Sequence, residues 1–321
     1  MDNTAFLLPE AFVRHFTERL LNLKKKKYKV SANQRKTDAV GYAFLAPNLI
    51  GFLIFTLIPF AYSFYISFFK WDAIGDMKFV GLNNYIKLFK DSGFKISLGN
   101  TLYYTFVNVP LVLIFGMILA LCIHKIPRCK TFFRTTYFLP NLVTVVSIAI
   151  VWQALYHPTY SPFSMILRSL GVENVPKWVS DTRWAMPCII IMSTWINAGY
   201  YMVIFLAALN NIPVSLYEAA SMDGANSWNK FWHITLPALS PTLFFASIIA
   251  IINSFKVFDQ VALLTQGGPG RSTNVLVYYI YQQGFTYYRF GTASAAAYIL
   301  FFLIMIVTII QFKVQNKWAE A

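Results

Sequence analysis

One polar stretch between two apolar runs has the composition of a docking surface. It contains Glu218, Ala219 and Ala220, followed by Asp223 and Gly224. The two alanines allow another surface to approach the backbone closely, and Glu218 offers a carboxylate that an arginine can bind with two parallel hydrogen bonds. We therefore predict that another protein docks on this stretch.

The docking stretch is predicted to fold as two short helices joined by a turn. Pro213 suits a first helical position, so the first helix should run over Val214–Met222 and end at Asp223-Gly224. Ser227 is expected to cap the second helix. That helix should end at Leu236-Pro237, where the next apolar run begins.

A second group of polar residues lies inside an apolar run. Asn253, Ser254, Lys256 and Asp259 occur there, although charged residues are costly at membrane depth and usually functional. Lys256 and Asp259 are three residues apart, which predicts that they share a helix face and neutralise each other. The pair could hold helices together or line a substrate path, and the sequence favours neither alternative.

The preceding apolar run carries groups that suit a sugar. Asn197 supplies an amide, and Tyr200 and Tyr201 supply aromatic rings with hydroxyl groups. Sugar rings offer C–H faces for packing and hydroxyls for hydrogen bonds. Each of these residues could instead serve only as polar packing between helices.

The apolar runs that position these residues are predicted to lie in a membrane. The chain has 321 residues, 57% of them hydrophobic and 12% charged, with a mean hydropathy of +0.52. Soluble domains have about 25% charged residues, so the composition indicates a membrane protein. The net charge of +14 is concentrated in the first forty positions and in short loops, which favours a topology signal over nucleic-acid binding. The cysteines and histidines are scattered, so neither disulfides nor a metal site is indicated.

Length and hydropathy predict an all-α integral membrane protein with six transmembrane helices. A spanning helix needs about 20 mainly apolar residues. The predicted spans are Tyr42–Phe69, Thr101–Ile123, Tyr137–Tyr156, Ala185–Leu209, Pro241–Leu264 and Thr292–Phe312.

Basic residues predict the orientation of these spans. Residues 1–40 form a basic leader that includes Lys24-Lys25-Lys26-Lys27, and the short loop after the second span carries Lys125, Arg128, Lys130 and Arg134. The positive-inside rule places both in the cytoplasm, together with both termini and the loop at about 210–240. The leader is either an amphipathic helix on the membrane surface or a solvated basic segment, and the two alternatives are equally favoured.

Residues of the docking stretch also carry a family resemblance. Glu218, Ala219, Ala220, Gly224, Ile234, Leu236 and Pro237 have the spacing of the EAA loop, and the stretch resembles that loop in membrane subunits of ATP-binding-cassette (ABC) importers. A second patch, from Phe258-Asp259 to Leu264-Thr265-Gln266-Gly267-Gly268-Pro269, is similar to the sugar-permease branch of the maltose-type importers. The resemblance covers much of Tyr42–Phe312.

The resemblance implies a type I ABC importer permease fold in a prokaryotic plasma membrane. It assigns Glu218, Ala219, Ala220, Asp223 and Gly224 to coupling with an ATPase subunit. By residue match, it places the substrate path at Ser193, Asn197, Tyr200, Asn253, Ser254, Lys256 and Asp259. The implied partners are a second permease subunit, two ATPases, an extracellular sugar-binding protein and the carbohydrate itself.

The chain is expected to catalyse no covalent step. It lacks a Gly-x4-Gly-Lys-Ser/Thr loop, so ATP and Mg²⁺ should bind to the partner ATPases and no cofactor to this chain. Our hypothesis is a permease for a carbohydrate, in particular an oligosaccharide, whose transmembrane domain occupies residues 41–321. The alternatives are a permease for another cargo such as glycerol phosphate, and an ion-driven secondary carrier that uses Lys256 and Asp259.

Overall fold

The computed structural model describes residues 32–126 and 128–319, and these are almost entirely helical. The chain divides into two compact units, Met1–Tyr62 and Ser63–Ala321. Most of the basic leader, including every residue of its predicted amphipathic helix, lies outside the described residues.

The described part of the first unit is helical. Helix α1 covers Ala32–Phe52, a π-helical turn covers Leu53–Leu57, and α2 covers Ile58–Ile66 and continues into the second unit. The side chains of this segment from Val40 onward are mostly exposed and apolar, which suits a helix surrounded by lipid.

The second unit begins with a small antiparallel pair, β1 at Phe69–Lys70 and β2 at Lys78–Phe79. The helices that follow are α3 (Asn83–Lys90), α4 (Ser92–Lys125), α5 (Lys130–Leu142), α6 (Val145–Leu155), α7 (Pro162–Ser169) and α8 (Ala185–Asn210). The last are α9 (Val214–Met222), α10 (Ser227–Lys230), α11 (Leu236–Phe255), α12 (Asp259–Leu264), α13 (Leu276–Tyr281) and α14 (Phe290–Ala319). A 3₁₀ turn covers Trp178–Ser180, and π-helical turns cover Phe231–Thr235 and Gln282–Thr286.

Five helices within the described residues are long and apolar enough to cross a membrane, and the count is six if one bent pair of helices is taken as a single span. The five are Val40–Ile66, Ser92–Lys125, Ala185–Asn210, Ser227–Phe255 and Phe290–Gln315. The bent pair is α5 with α6, whose axes differ by 95°. The third predicted span, Tyr137–Tyr156, is therefore not one continuous helix, because the backbone is extended at Val143 between the two helices.

The fifth predicted span is wrong at both ends. The spanning helix begins at Ser227, because α10 continues through the π-helical turn into α11 and does not stop at Leu236-Pro237. Pro237 fits because it lies in the first turn of α11. The helix ends at Phe255, because Phe258 leaves the helical region with φ −143° and ψ −58° and separates α11 from α12.

Helices α4 and α8 form the centre of the second unit. Their buried side chains include Val112, Ala120, Met202 and Phe205, and α8 also packs on α5. Gly199 makes the second contact possible, because a Cβ atom there would collide with the carbonyl oxygen of Tyr137. Small residues at such contacts let helix backbones approach closely in membranes.

Candidate functional site

The docking helix predicted from the sequence is α9, with the predicted bounds Val214–Met222. Its end is a left-handed turn in which Gly224 has φ +76°. The amide of Ala225 donates to the carbonyl of Ala220 over 2.8 Å, and the amide of Gly224 donates to Ser221 over 3.1 Å. These bonds satisfy carbonyls that a helix end otherwise leaves without partners.

The residues assigned to coupling lie together on an accessible surface. Glu218, Ala219, Asp223 and Gly224 are exposed and Ala220 is half-buried. Among the described residues, no side chain or backbone amide donates a hydrogen bond to the carboxylate of Glu218. The same surface is partly apolar, since Met222 is 89% exposed. It therefore combines an unpaired carboxylate with exposed apolar area, as expected of a protein contact.

Polar contacts hold α9 against the segment that leads into α11. Tyr217 Oη lies 2.9 Å from Thr235 Oγ1, and Lys230 Nζ donates to Ser221 Oγ over 2.6 Å. The cap of α10 differs from the prediction, because the side chain of Asn226, not Ser227, accepts from the amide of Asn229 over 2.8 Å. Ser227 already belongs to the first helical turn, so its hydroxyl is past the capping position.

A cavity of about 350 Å³ lies between α4, α8 and the end of α11. It brings together five of the residues predicted for the substrate path, namely Asn197, Asn253, Ser254, Lys256 and Asp259. The other two do not line it. Ser193 is fully buried and its carbonyl accepts from Asn197 Nδ2 over 2.8 Å, while the half-buried Tyr200 packs edge-on against Tyr201 with ring centres 5.2 Å apart.

The predicted pairing of Lys256 with Asp259 is wrong. Both residues line the cavity and are exposed, but the helix ends at Phe255 and restarts at Asp259, so they do not share a helix face. Within the described part of the chain, neither head group takes part in an ion pair or hydrogen bond. The cavity therefore holds one cation and one carboxylate that are both available to a ligand.

Sequence reasoning missed an amide that joins three spans. Asn108 of α4 donates from Nδ2 to Ser254 Oγ over 3.2 Å, and Thr194 Oγ1 donates to Asn108 Oδ1 over 3.3 Å. Asn108 is buried and borders the cavity. Tyr104 and Gln260 also line it and were not predicted as path residues, whereas Tyr201, which lines it too, was already noted as suited to a sugar. The signal in the sequence was a single amide within the long apolar run of the second span.

The arrangement can bind and release a polar ligand. Amides, hydroxyls and two tyrosine rings border the cavity, together with the two charged side chains. In residues 32–126 and 128–319, no group of three His, Cys, Asp or Glu side chains could hold a metal ion. The candidate site is thus a docking helix at one end of the spans and a polar cavity between them.

Comparison with known proteins adds sequence relatives over nearly the whole chain. The family model described as binding-protein-dependent transport system inner membrane component matches residues 97–320. The chain is 34% identical over 296 residues to YesP of Bacillus subtilis (strain 168), described as a probable ABC transporter permease protein, covering 91% of this chain and 95% of YesP. It is 33% identical to the arabinooligosaccharides transport system permease protein AraP of the same organism, covering 87% and 90%. It is 31% identical to the sn-glycerol-3-phosphate transport system permease protein UgpA of Brucella abortus, covering 86% and 94%.

The fold is similar to that of a solved importer. A chain of a bacterial ABC transporter involved in the import of the acidic polysaccharide alginate superimposes with a TM-score of 0.78 at 25% identity, covering 89% of this chain and 98% of that one. A second structure of an alginate ABC transporter, in complex with a periplasmic protein bound to an alginate pentasaccharide, gives a TM-score of 0.76 at 25% identity, covering 87% and 94%.

Proposed function

The chain belongs to the family of binding-protein-dependent transport system inner membrane components, and from this membership we propose that it forms half of the path for an oligosaccharide. It is a multi-pass permease subunit of an ABC importer. The proposal adds the cargo, the partners and the roles of individual residues. Membership of this family argues against the ion-driven secondary carrier, because the family couples transport to a binding protein and not to an ion gradient.

The observation that carries the proposed cargo is the lining of the cavity between α4, α8 and α11. Asn108, Asn197 and Asn253 present amides there, and Tyr104 and Tyr201 present aromatic rings. Amides hydrogen-bond to sugar hydroxyls, and aromatic faces pack against the C–H faces of sugar rings. The relative AraP, which serves arabinooligosaccharides, supports the same class of cargo.

The proposed coupling surface is α9 with the turn that follows it. Glu218 would bind an arginine of an ATPase subunit, while Ala219 and Ala220 let the ATPase approach. Asp223 and Gly224 form the end of the helix and keep it short. The chain would catalyse no reaction itself, because two partner ATPases bind ATP and Mg²⁺ and their closure would displace α9.

The proposed topology places the loop at about 210–240 and both termini in the cytoplasm. Residues 1–40 would be the cytoplasmic leader and 41–321 the transmembrane domain. A second, similar permease subunit would complete the path, and a binding protein would deliver the cargo on the outer side. The binding protein of the related alginate transporter supports this assembly.

Glycerol phosphate is a second candidate cargo, and the unpaired lysine in the cavity favours it. Lys256 is exposed in the cavity without an ion-pair partner, so its ammonium group could bind a phosphate. The relative UgpA serves sn-glycerol-3-phosphate. Asp259, in the same cavity, would repel that phosphate, and for this reason we favour the uncharged sugar.

The proposal is tested by purification and transport. The tagged chain is extracted in mild detergent, and we expect one second permease and two ATPase subunits to co-purify with it. The complex is then reconstituted in proteoliposomes with its binding protein, and uptake of labelled arabino- and malto-oligosaccharides and of glycerol 3-phosphate is measured with and without ATP. ATP-driven oligosaccharide uptake supports the proposal, whereas uptake of glycerol 3-phosphate alone selects the second cargo.

A variant separates the two cargoes further. Lys256→Gln should abolish uptake of a phosphorylated cargo and lower oligosaccharide uptake by at most about tenfold, because an uncharged sugar loses at most one hydrogen bond of about 0.5–1.5 kcal/mol. Transport without ATP by the isolated chain would overturn the importer proposal.

A further inference from the structure

A basic depression lies at the opposite end of the molecule from α9. Two adjoining cavities of about 660 and 510 Å³ share Lys87, Tyr287, Arg289 and Thr292. We call their union the outer basin. Its cationic residues are Lys70, Lys78, Lys87, Arg271 and Arg289, and all five are exposed.

Helix α4 shows that the outer basin and α9 lie at opposite ends of the spans. Asp91, which caps the first turn of α4, lines the basin, whereas His124 in the last turn of α4 lies 3.2 Å from Asn210 at the end of α8. Asn210 is separated from α9 by only three residues. If α9 faces the ATPases in the cytoplasm, the basin must therefore face outward.

The carboxylates near the basin are largely engaged within the chain. Asp72 accepts from the amides of Gly75 over 2.8 Å and Ile74 over 3.2 Å, and these hydrogen bonds lower its pKa below the ordinary value. Asp91 Oδ2 accepts from Tyr279 Oη over 2.7 Å, and its two oxygens also accept from the amides of Gly93 and Phe94 over 3.2 Å each. Asp76 is the remaining carboxylate among the residues that line the basin.

The five cations outnumber the three carboxylates of the basin, although Lys70 lies near enough to Asp72, and Arg271 to Asp91, to lower the pKa of each carboxyl. In the part of the chain that the structure describes, no head group of the five makes an ion pair or a hydrogen bond. The guanidinium of Arg289 lies over the ring of Tyr287, 5.8 Å from its centre, which leaves its N–H groups available. Five cations beside three carboxylates leave the basin with a net positive charge, which attracts an anionic ligand.

The basin is built on ordered backbone. The buried Asn84 donates from Nδ2 to the carbonyls of Ser67 over 2.8 Å and Phe69 over 2.9 Å, which fixes β1 beside α3. The amide of Phe290 donates to the carbonyl of Trp71 over 3.1 Å and joins the strand segment to the start of α14. A preformed basic surface can bind an anion without first ordering the chain.

The basin fits a protein surface better than it fits the cargo. An anionic cargo held at the basin would next meet the inner cavity, where Asp259 opposes Lys256 and the charges balance. Among the described residues that line the inner cavity, Lys256 is the one cation. A partner that docks outside and then leaves faces no such conflict, and arginine and aromatic residues such as Trp71 and Tyr287 are frequent at the centres of protein interfaces.

We propose that the outer basin is the docking surface for a carboxylate-rich face of the soluble binding protein, held by Lys78, Lys87 and Arg289 at its centre. The inference rests on the proposed import function. Charge complementarity of this kind accelerates association and is weakened by salt. Docking should therefore be transient and strongly dependent on ionic strength.

The test uses the reconstituted complex and its purified binding protein. The half-saturating concentration of binding protein is read from the stimulation of ATP hydrolysis, at about 50 mM and about 300 mM NaCl, where screening differs strongly. Variants Lys78→Gln, Lys87→Gln and Arg289→Gln are made singly and together. The matched control is Lys177→Gln, which removes an exposed lysine that lines no part of the basin.

The triple variant should raise the half-saturating concentration about tenfold or more at low salt, the lower end of the range for electrostatic steering. Its maximal rate should stay unchanged, and its dependence on salt should be weaker than that of the unaltered chain. Lys177→Gln should match the unaltered chain. Unchanged half-saturation in the triple variant would overturn the proposal.

Two further outcomes are distinguishable. If a trigalacturonate binds to the purified complex without binding protein, and the triple variant abolishes that binding, the basin takes an acidic sugar and the docking proposal fails. If the unaltered complex shows no ATP-driven uptake even at saturating binding protein, the proposed function itself fails. If the triple variant does not fold, its maximal rate of ATP hydrolysis falls. The half-saturating concentrations of the three single variants then test the proposal.

Discussion

Tyr217 Oη lies 2.9 Å from Thr235 Oγ1, so a hydrogen bond joins the docking helix α9 to the segment that leads into α11. Thr235 is buried and Tyr217 is half-buried among apolar side chains of the inner end of the spans. The contact lies on the inner side of α9, away from the exposed Glu218. A force on Glu218 can therefore reach the fifth span through the adjacent residue in the chain.

Removal of this hydroxyl should weaken the coupling. In Tyr217→Phe the ring still packs, so we expect a loss of about 0.5–1.5 kcal/mol in the stability of the contact. A loss of about 1 kcal/mol corresponds to about fivefold in an equilibrium, and stimulation of ATP hydrolysis by the binding protein should fall by up to that factor. Tyr160→Phe, which alters a 70% exposed tyrosine elsewhere, is the control. Equal stimulation in both variants would exclude the coupling role of the hydroxyl.

The carboxylate of Glu218 should set the affinity for the ATPase subunit. Glu218→Gln keeps the shape but replaces a charge-assisted contact, worth about 1.5–3 kcal/mol, so the dissociation constant should rise about tenfold or more. Titration of purified ATPase onto the permease pair measures this. Glu173→Gln, also an exposed glutamate but outside the docking stretch, should have no effect. Unaltered ATPase binding in Glu218→Gln would remove Glu218 from the interface.

The turn after α9 should tolerate little besides glycine. Gly224 has φ +76°, and no atom lies within 4 Å of a Cβ built there, so the penalty for alanine comes from the backbone alone. Gly224→Ala should cost about 1–2 kcal/mol, and Gly224→Asn should cost less, since asparagine visits this conformation more readily. ATP hydrolysis by the assembled complex should follow the same order. Gly99→Ala, at an open helical position, is the control and should be neutral or slightly stabilising in the same thermal unfolding assay, because alanine favours a helix more than glycine does.

The contact between α5 and α8 should be lost when a methyl group is added at Gly199. A Cβ at position 199 would meet the carbonyl of Tyr137, so Gly199→Ala must separate the two helices. Overpacking of this kind costs about 1–3 kcal/mol or more. The yield of monodisperse protein in detergent and its unfolding temperature should both fall. Gly51→Ala has open space around its Cβ, and comparable behaviour of the two variants would refute the contact.

Asn108 should couple energetically to Ser254. The two side chains hydrogen-bond over 3.2 Å between α4 and α11. A double-mutant cycle with Asn108→Ala and Ser254→Ala should give a coupling energy of about 0.6 kcal/mol, the average for interhelical hydrogen bonds in a membrane protein. Additive effects on unfolding would mean that the bond contributes nothing. Oligosaccharide KM should rise in Asn108→Ala, because this amide also borders the cavity.

The docking helix was predictable because local residues determine it. Pro213, the alanines and Gly224 set both ends of α9, and the structure confirms Val214–Met222 residue for residue. Hydropathy identified the spans for the same reason. The cap of α10 was missed because Asn226 and Ser227 are adjacent and both residue types cap well, so composition alone could not choose between them.

Contacts between distant parts of the chain could not be predicted in this way. The break at Phe258 lies within a run whose hydropathy continues, so the predicted span ran past the end of the helix and paired Lys256 with Asp259. The outer basin combines Lys70, Arg271 and Arg289, which are far apart in sequence. The packing of α14 beside β1 and α3, and of α13 beside α4, brings these cations together.

Helix α4 has 34 residues, and this length connects the two ends of the spans. At 1.5 Å per residue it is about 50 Å long, and it reaches from Asp91 at the outer basin to His124 beside the end of α8. If this helix tilted about its middle, its two ends would move in opposite directions. Asn108 lies at the middle and is hydrogen-bonded to Ser254 and Thr194 of two other spans. A tilting α4 would therefore act as a lever that turns about the buried amide of Asn108, with the binding protein acting at one end and the ATPases at the other.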